Sequence, residues 1–175
     1  DVYKRQVFKS TGKVAELQSS IGLNPVNGNT GIAHTRWATH GLPTEANAHP
    51  HHSNNKVFVI HNGIIENHQE IRTTLKALGY IFESETDTEV IAHLIHAKMT
   101  DSNLSLVESL KAAVKDLRGA YAIGAVCESE PGILAAARKG SPLVIGMGFG
   151  ENFIASDQLA LSLIHISEPT RRRGI

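Results

Sequence analysis

Three segments of the chain carry the apolar spacing of an amphipathic helix, and each opens with a similar local signal. Asn67-His68-Gln69-Glu70 sets a capping residue three positions before an acid, ahead of an apolar stripe at Ile71, Leu75 and Leu78, and Gly79 stops it. Thr86-Asp87-Thr88-Glu89 repeats the pattern before Val90, Ile91, Leu94 and Ile95. Ser105-Leu106-Val107-Glu108 does so again before Leu110, Val114 and Leu117, with Gly119 as the stop. Short apolar runs at Val57–His61, Ala120–Cys127, Ile133–Ala137, Leu143–Met147 and Asn152–Ala155 predict strands, and Gly31–Thr35 is a further candidate. Strands, then clustered helices, then closely spaced strands argue for α+β layers rather than an alternating parallel sheet. No internal repeat, low-complexity tract or clear linker breaks this order.

A chain of 175 residues suits one globular domain with a real core. Its 17 basic side chains balance 17 acidic ones, leaving no field to steer nucleic acid or an anionic membrane. No apolar run approaches the ~20 residues of a membrane helix, and the first residues lack the apolar stretch of a signal peptide. The single cysteine, Cys127, excludes an internal disulfide framework and suits a reducing compartment. The expectation is a soluble cytoplasmic protein without nucleic-acid or membrane partners.

Both ends look foreign. Asp1-Val2-Tyr3-Lys4-Arg5-Gln6 can be encoded by GAT GTG TAT AAG AGA CAG, whose reverse complement reads Leu161-Ser162-Leu163-Ile164-His165-Ile166. Two strands of one short DNA element facing inward around an insert would produce this, and the string resembles a transposon-end sequencing adapter. Residues 1–6 and 161–175 are therefore set aside, and residues 7–160 are read as part of an authentic domain. Without Asp1, Lys4, Arg5, Glu168 and Arg171 to Arg173, twelve basic and fifteen acidic residues remain, and the terminal arginines lose any meaning as a nucleic-acid tail.

The densest polar segment is His34-Thr35-Arg36-Trp37-Ala38-Thr39-His40-Gly41. Arg36 offers a planar fork that can hold a carboxylate, with a surface ion pair as the alternative. Trp37 reads as core packing or as a lid. Asn62-Gly63 closes a predicted strand and reads either as a turn or as an oxyanion hole built from an amide and a backbone N–H. Asp87 sits where an acid complements a helix dipole, or where a carboxylate could meet a substrate ammonium group. His49, His51 and His52 invite a metal reading, but they have no partner at a finger-like spacing, so no dedicated metal site or cofactor is expected. Cys127 reads as an inert core thiol.

Together these blocks resemble the class-II glutamine amidotransferase domain of the glutamine–fructose-6-phosphate aminotransferase family. The resemblance rests on Gly31 to Gly41, Asn47-Ala48-His49-Pro50-His51, His61 to Asn67 and Ser84 to Val90. Leu117 to Tyr121, Gly140 to Gly146 and Ala155-Ser156-Asp157 complete it, in one order across residues 7–160. It implies an N-terminal-nucleophile fold, an αββα sandwich of two antiparallel sheets between helical layers, here lacking its opening strands. It also implies an N-terminal cysteine as nucleophile, with its own α-amino group as base. The implied roles are Asn62 and Gly63 for the oxyanion, Arg36 for the glutamine carboxylate and Asp87 for its ammonium. Thr39 and His40 would line the pocket, and Trp37 would cover it or gate ammonia. Ammonia would pass to fructose 6-phosphate on a separate isomerase domain, and the full-length protein would be a homodimer. Because the chain carries no N-terminal cysteine, the fragment itself is expected to be inactive. The rival readings are a non-catalytic glutamine-binding fragment and an unrelated histidine-cluster metal hydrolase.

Overall fold

The computed structural model describes residues 6–23, 26–36 and 42–161. Their elements run α1 (Val14–Leu23), β1 (His51–Ser53), β2 (Val57–Ile65), α2 (His68–Ala77), α3 (Thr88–Ser102) and α4 (Leu106–Asp116). The chain continues with β3 (Gly119–Cys127), β4 (Ala135–Lys139), β5 (Val144–Met147) and β6 (Asn152–Ala155). The first four strands form an antiparallel sheet in the order β1-β2-β3-β4, and β5 pairs with β6. The α+β expectation holds.

The sheet's spine is the nine-residue pairing of β2 with β3, from Val57↔Cys127 to Ile65↔Gly119. Odd-numbered positions on both strands, among them Val57, Val59, Ile65, Tyr121, Ile123 and Ala125, enter the core. There they meet Leu75 of α2, Val90, Ile91, Leu94 and Ile95 of α3, and Leu106 and Leu110 of α4. The opposite face receives the small sheet, for a methyl group at Gly124 would lie 3.0 Å from Ile154 Cδ1. Helices, a four-stranded sheet and a two-stranded sheet thus stack in layers. Among the described residues no helix is long and apolar enough to cross a membrane.

Every residue of α3 from Thr88 to Ala97 is buried, including Glu89, His93 and His96. A helix enclosed on all sides needs partners for its polar groups. His93 meets the Ser53 hydroxyl and His96 the Tyr80 hydroxyl, while Glu89 finds its partners at the helix N-terminus, where the cavity lies.

Several sequence expectations shift. Asn67 does stand at the start of α2, yet its side chain makes no cap. Instead it donates to the Asp116 carbonyl (2.8 Å) and accepts from the Arg118 N–H (2.9 Å), tying α2 to the junction of α4 and β3. Leu78, expected in the buried stripe, ends the helix and is 61% exposed. Ile133 falls in a turn closed on the Glu130 carbonyl, so β4 starts two residues later than the apolar run suggests. Gly31–Thr35 is not a strand, because no neighbouring backbone among the described residues pairs with it. Two elements were not anticipated. α1 has no capping box, and the polar β1 joins β2 through Asn54 and Asn55, whose φ values of 50° and 54° make the tight turn such hairpins prefer.

Candidate functional site

The Asn62-Gly63 pair is not a turn. Both residues lie within β2, opposite Ala122 and Tyr121. Gly63 has φ 121°, and a Cβ there would collide with the Ala120 carbonyl oxygen, so only glycine lets the two strands approach this closely. β1 pairs only with Val57–Val59, so no strand among the described residues covers that edge of β2 from Ile60 onward. At the end of this edge, the Ile65 N–H donates to Asp87 Oδ2 at 2.9 Å. Asp87 thus spends one carboxylate oxygen on the strand rather than on capping its own helix.

Imidazoles fill the space between this edge and α3. His34 Nε2 lies 2.7 Å from Asn62 Oδ1. His49 Nε2 and His61 Nδ1 each stand 3.1 Å from the Thr88 hydroxyl, and the His34 and His49 rings lie against each other, tilted by 40° with centroids 4.1 Å apart. Burial keeps these rings neutral. It pushes His34 below its ordinary value, despite the bond to Asn62. His49 is pushed down to about 2 by burial and by the charges that its neighbours His34, His51, His61 and Arg36 would present. His61 is pushed to about 4, against the pull of the Asp87 carboxylate. His51, also lowered to about 4 by burial, meets Thr86 Oγ1 at 3.1 Å.

The turn that presents Asp87 is held from three sides. Glu89 accepts hydrogen bonds from Glu83 N (2.8 Å), Ser84 N (2.8 Å) and Ser84 Oγ (2.7 Å), with His93 Nε2 3.6 Å away. Burial alone would raise this carboxyl; the neighbouring His93 and the bonds from Glu83 and Ser84 outweigh it and hold it at about 2. Arg72 reaches over from α2 to the carbonyls of Ser84 (3.0 Å) and Thr86 (2.7 Å), its guanidinium lying over the Phe82 ring. Asn47 accepts from Glu85 N at 3.0 Å and donates to the Leu42 carbonyl at 3.0 Å. That same carbonyl receives Arg36 Nη1 at 3.0 Å, which anchors the arginine.

Beside this scaffold lies an open-sided cavity of about 260 Å³, a size suited to a small metabolite. Arg36, Asn62, Gly63 and Asp87, singled out from sequence, all line it. Trp37, Thr39 and His40 lie outside the described residues. His34, His61, Thr86 and Thr88 also line it, and sequence reading did not assign them to a site. The signal that could have found Thr86 and Thr88 is their placement on both sides of Asp87. Among the described residues no three His, Cys, Asp or Glu side chains converge for a metal ion. Cys127 is buried at the end of β3 remote from the cavity. The register sets it about five residues from Asn62, or roughly 17 Å at strand rise.

The fold is that of a glutamine amidotransferase domain. Residues 34–162 match the family model for the glutamine amidotransferase domain, and the chain belongs to that family. Its sequence is 62% identical over 150 residues to glutamine–fructose-6-phosphate aminotransferase (isomerizing) of Pseudomonas putida, covering 86% of this chain and 24% of that protein. The protein of the same name from Acinetobacter baylyi is 56% identical over 162 residues, covering 91% and 26%. The chain therefore spans about a quarter of the length of these relatives. Among solved structures, glutamine phosphoribosylpyrophosphate amidotransferase from B. subtilis, complexed with ADP and GMP, aligns with a TM-score of 0.61 at 31% identity. That alignment covers 75% of this chain and 28% of the other.

Proposed function

We propose that this domain is the glutaminase part of a glutamine–fructose-6-phosphate aminotransferase. It would release ammonia from glutamine for transfer to fructose 6-phosphate, giving glutamate and glucosamine 6-phosphate. The observation that carries this reading is the convergence of Arg36, Asp87 and the Asn62–Gly63 edge on one cavity. A free amino acid presents a carboxylate and an ammonium group, and the cavity offers a guanidinium and a carboxylate. Arg36 would clamp the former and Asp87, through the oxygen not bound to Ile65, the latter. Asn62 and the Gly63 N–H would stabilise the oxyanion formed at the side-chain amide. Strand alternation supports this role: the Ile65 N–H faces the open edge, and Gly63 lies two residues before it. By family resemblance, Trp37, Thr39 and His40 belong to the same pocket, and the full-length protein is a cytoplasmic homodimer.

In this reading the thiol of an N-terminal cysteine adds to the amide carbonyl, its α-amino group taking the thiol proton and passing it to the departing ammonia. Water then hydrolyses the thioester to glutamate. Cys127, the only cysteine in the sequence, lies too far along β3 to substitute. The 175-residue chain by itself would therefore be at most a glutamine binder. It should release no glutamate above background, and Cys127→Ala should change nothing. Thiol-dependent turnover lost at Cys127 would place the chemistry elsewhere.

In a full-length aminotransferase carrying this domain, Arg36→Lys and Asp87→Asn should each raise the KM for glutamine by roughly tenfold or more with little change in kcat. An unchanged KM in both variants would sink the two-point clamp. We also propose that residues 1–6 and 161–175 derive from one DNA element. Recovery of both as uninterrupted genomic coding sequence would refute that.

A further inference from the structure

Resting on the glutaminase reading, we propose that His34 is the positioning residue of the oxyanion hole: its Nε2–H, donated to Asn62 Oδ1, locks the Asn62 amide with its N–H groups toward the cavity. An asparagine at this place works only in one of its two amide orientations. With Nδ2 inward it donates to a developing oxyanion; with Oδ1 inward it repels one. Neither strand geometry nor the Asn62 backbone distinguishes the two, so a neighbouring group must.

His34 is placed to make that choice. Its Nε2 is 2.7 Å from the Asn62 side chain. Its Nδ1 is buried and has no hydrogen-bond partner among the described residues. A neutral imidazole carries one proton, and the two placements are not equivalent. A proton on Nδ1 would leave a buried N–H without an acceptor, the costlier kind of orphan. A proton on Nε2 leaves only a bare lone pair at Nδ1 and puts a donor against Asn62. The favoured tautomer therefore demands an oxygen from Asn62, which turns Nδ2 away from His34. Asn62 Nδ2 has no hydrogen-bond partner among the described residues, as a donor waiting for substrate requires.

The ring is also held in place. The His49 ring packs against His34, tilted by 40° at 4.1 Å between centroids, and the Thr88 hydroxyl at the start of α3 fixes His49 at 3.1 Å. The same hydroxyl fixes His61, the residue before Asn62. A single threonine thus steadies both the support of His34 and the strand that carries its target. This gives a function to His49, one of the histidines that a metal reading would have claimed.

The test is a double-mutant cycle on glutamate release by a full-length aminotransferase carrying this domain. His34→Ala should lower kcat by roughly tenfold to hundredfold, with the KM for glutamine within about twofold of wild type. His34→Gln, whose amide nitrogen reaches the place of Nε2, should restore most of kcat. His34→Asn, whose shorter amide reaches only the place of Nδ1, should not. In an Asn62→Ala background, His34→Ala should cost less than about threefold more, since no amide remains to orient. Full additivity there, or a Gln variant as slow as the Asn variant, would overturn the proposal. The Gln and Asn variants decide the matter even if His34→Ala does not fold. A slow Asn62→Ala enzyme beside a normal His34→Ala enzyme would reject the positioning role alone. A normal Asn62→Ala enzyme would reject the oxyanion hole itself.

Discussion

Two helix starts in this domain carry the same four-residue signal and use it differently. At α4, Ser105 Oγ accepts from the Glu108 N–H, and Glu108 accepts in return from the Ser105 N–H, which closes a complete capping box. Glu108 is exposed, and the motif does nothing beyond starting the helix. At α3, Thr86 Oγ1 still faces the Glu89 N–H at 3.4 Å, but the Glu89 carboxylate turns away to Glu83 and Ser84. Asp87, between them, reaches across to β2. Thr86, Asp87 and Glu89 are all buried. Burial makes the difference: a carboxylate withdrawn from water must collect every available donor, so a local cap becomes the scaffold of a cavity.

The largest effect should come from removing that buried carboxylate. Glu89→Ala strands the Glu83 and Ser84 N–H groups and should lower the opening free energy of α3 by roughly 3–5 kcal/mol. Hydrogen exchange of the α3 amides in the full-length protein measures it. A loss as small as that expected at α4 would erase the contrast between the two motifs.

Acid separates the two starts next. His51 and His61 are held near 4 and His49 near 2 in the folded protein, each below the ordinary histidine value of 6.5. Depressed values mean that the folded state binds fewer protons, so their stabilising contribution is complete above pH 6.5 and is lost as pH falls toward 4 and then 2. Glu89, depressed to about 2, adds a loss that begins near pH 4.5. Exchange protection at the α3 start should therefore weaken below pH 6.5. At α4, where Glu108 is lowered by its bonds to Ser105, protection should persist to about pH 4.5. Parallel pH profiles would show that the buried histidines do not couple to α3.

The smallest effect belongs to the exposed box. Ser105→Ala should cost about 1 kcal/mol in protection of α4 and leave glutamine kinetics untouched. A change in KM would mean that α4 communicates with the cavity.

What the sequence made legible follows the same division. The Ser105 box, the apolar stripes of α3 and α4 and the β6 strand were readable because each depends on neighbours in sequence. For Asn62-Gly63 the turn alternative fails because the need for glycine comes from Ala120, nearly sixty residues away, and not from a local reversal. Asn67 misled as a cap because the groups it satisfies belong to Asp116 and Arg118. The roles of His34 and Thr88 were hidden for the same reason: each is defined by a side chain that only folding brings near. Family resemblance pointed to Arg36, Asn62, Gly63 and Asp87, which line one cavity, but it did not reveal how they are held.

The most direct test of the oxyanion assignment is steady-state glutamate release by Asn62→Ala in a full-length aminotransferase carrying this domain. An amide that acts as charge develops should, when removed, lower kcat by roughly 10²- to 10³-fold and leave the KM for glutamine within a few-fold. A correctly folded variant with near-normal kcat would contradict it, leaving Asn62 as no more than a strand residue beside a glycine.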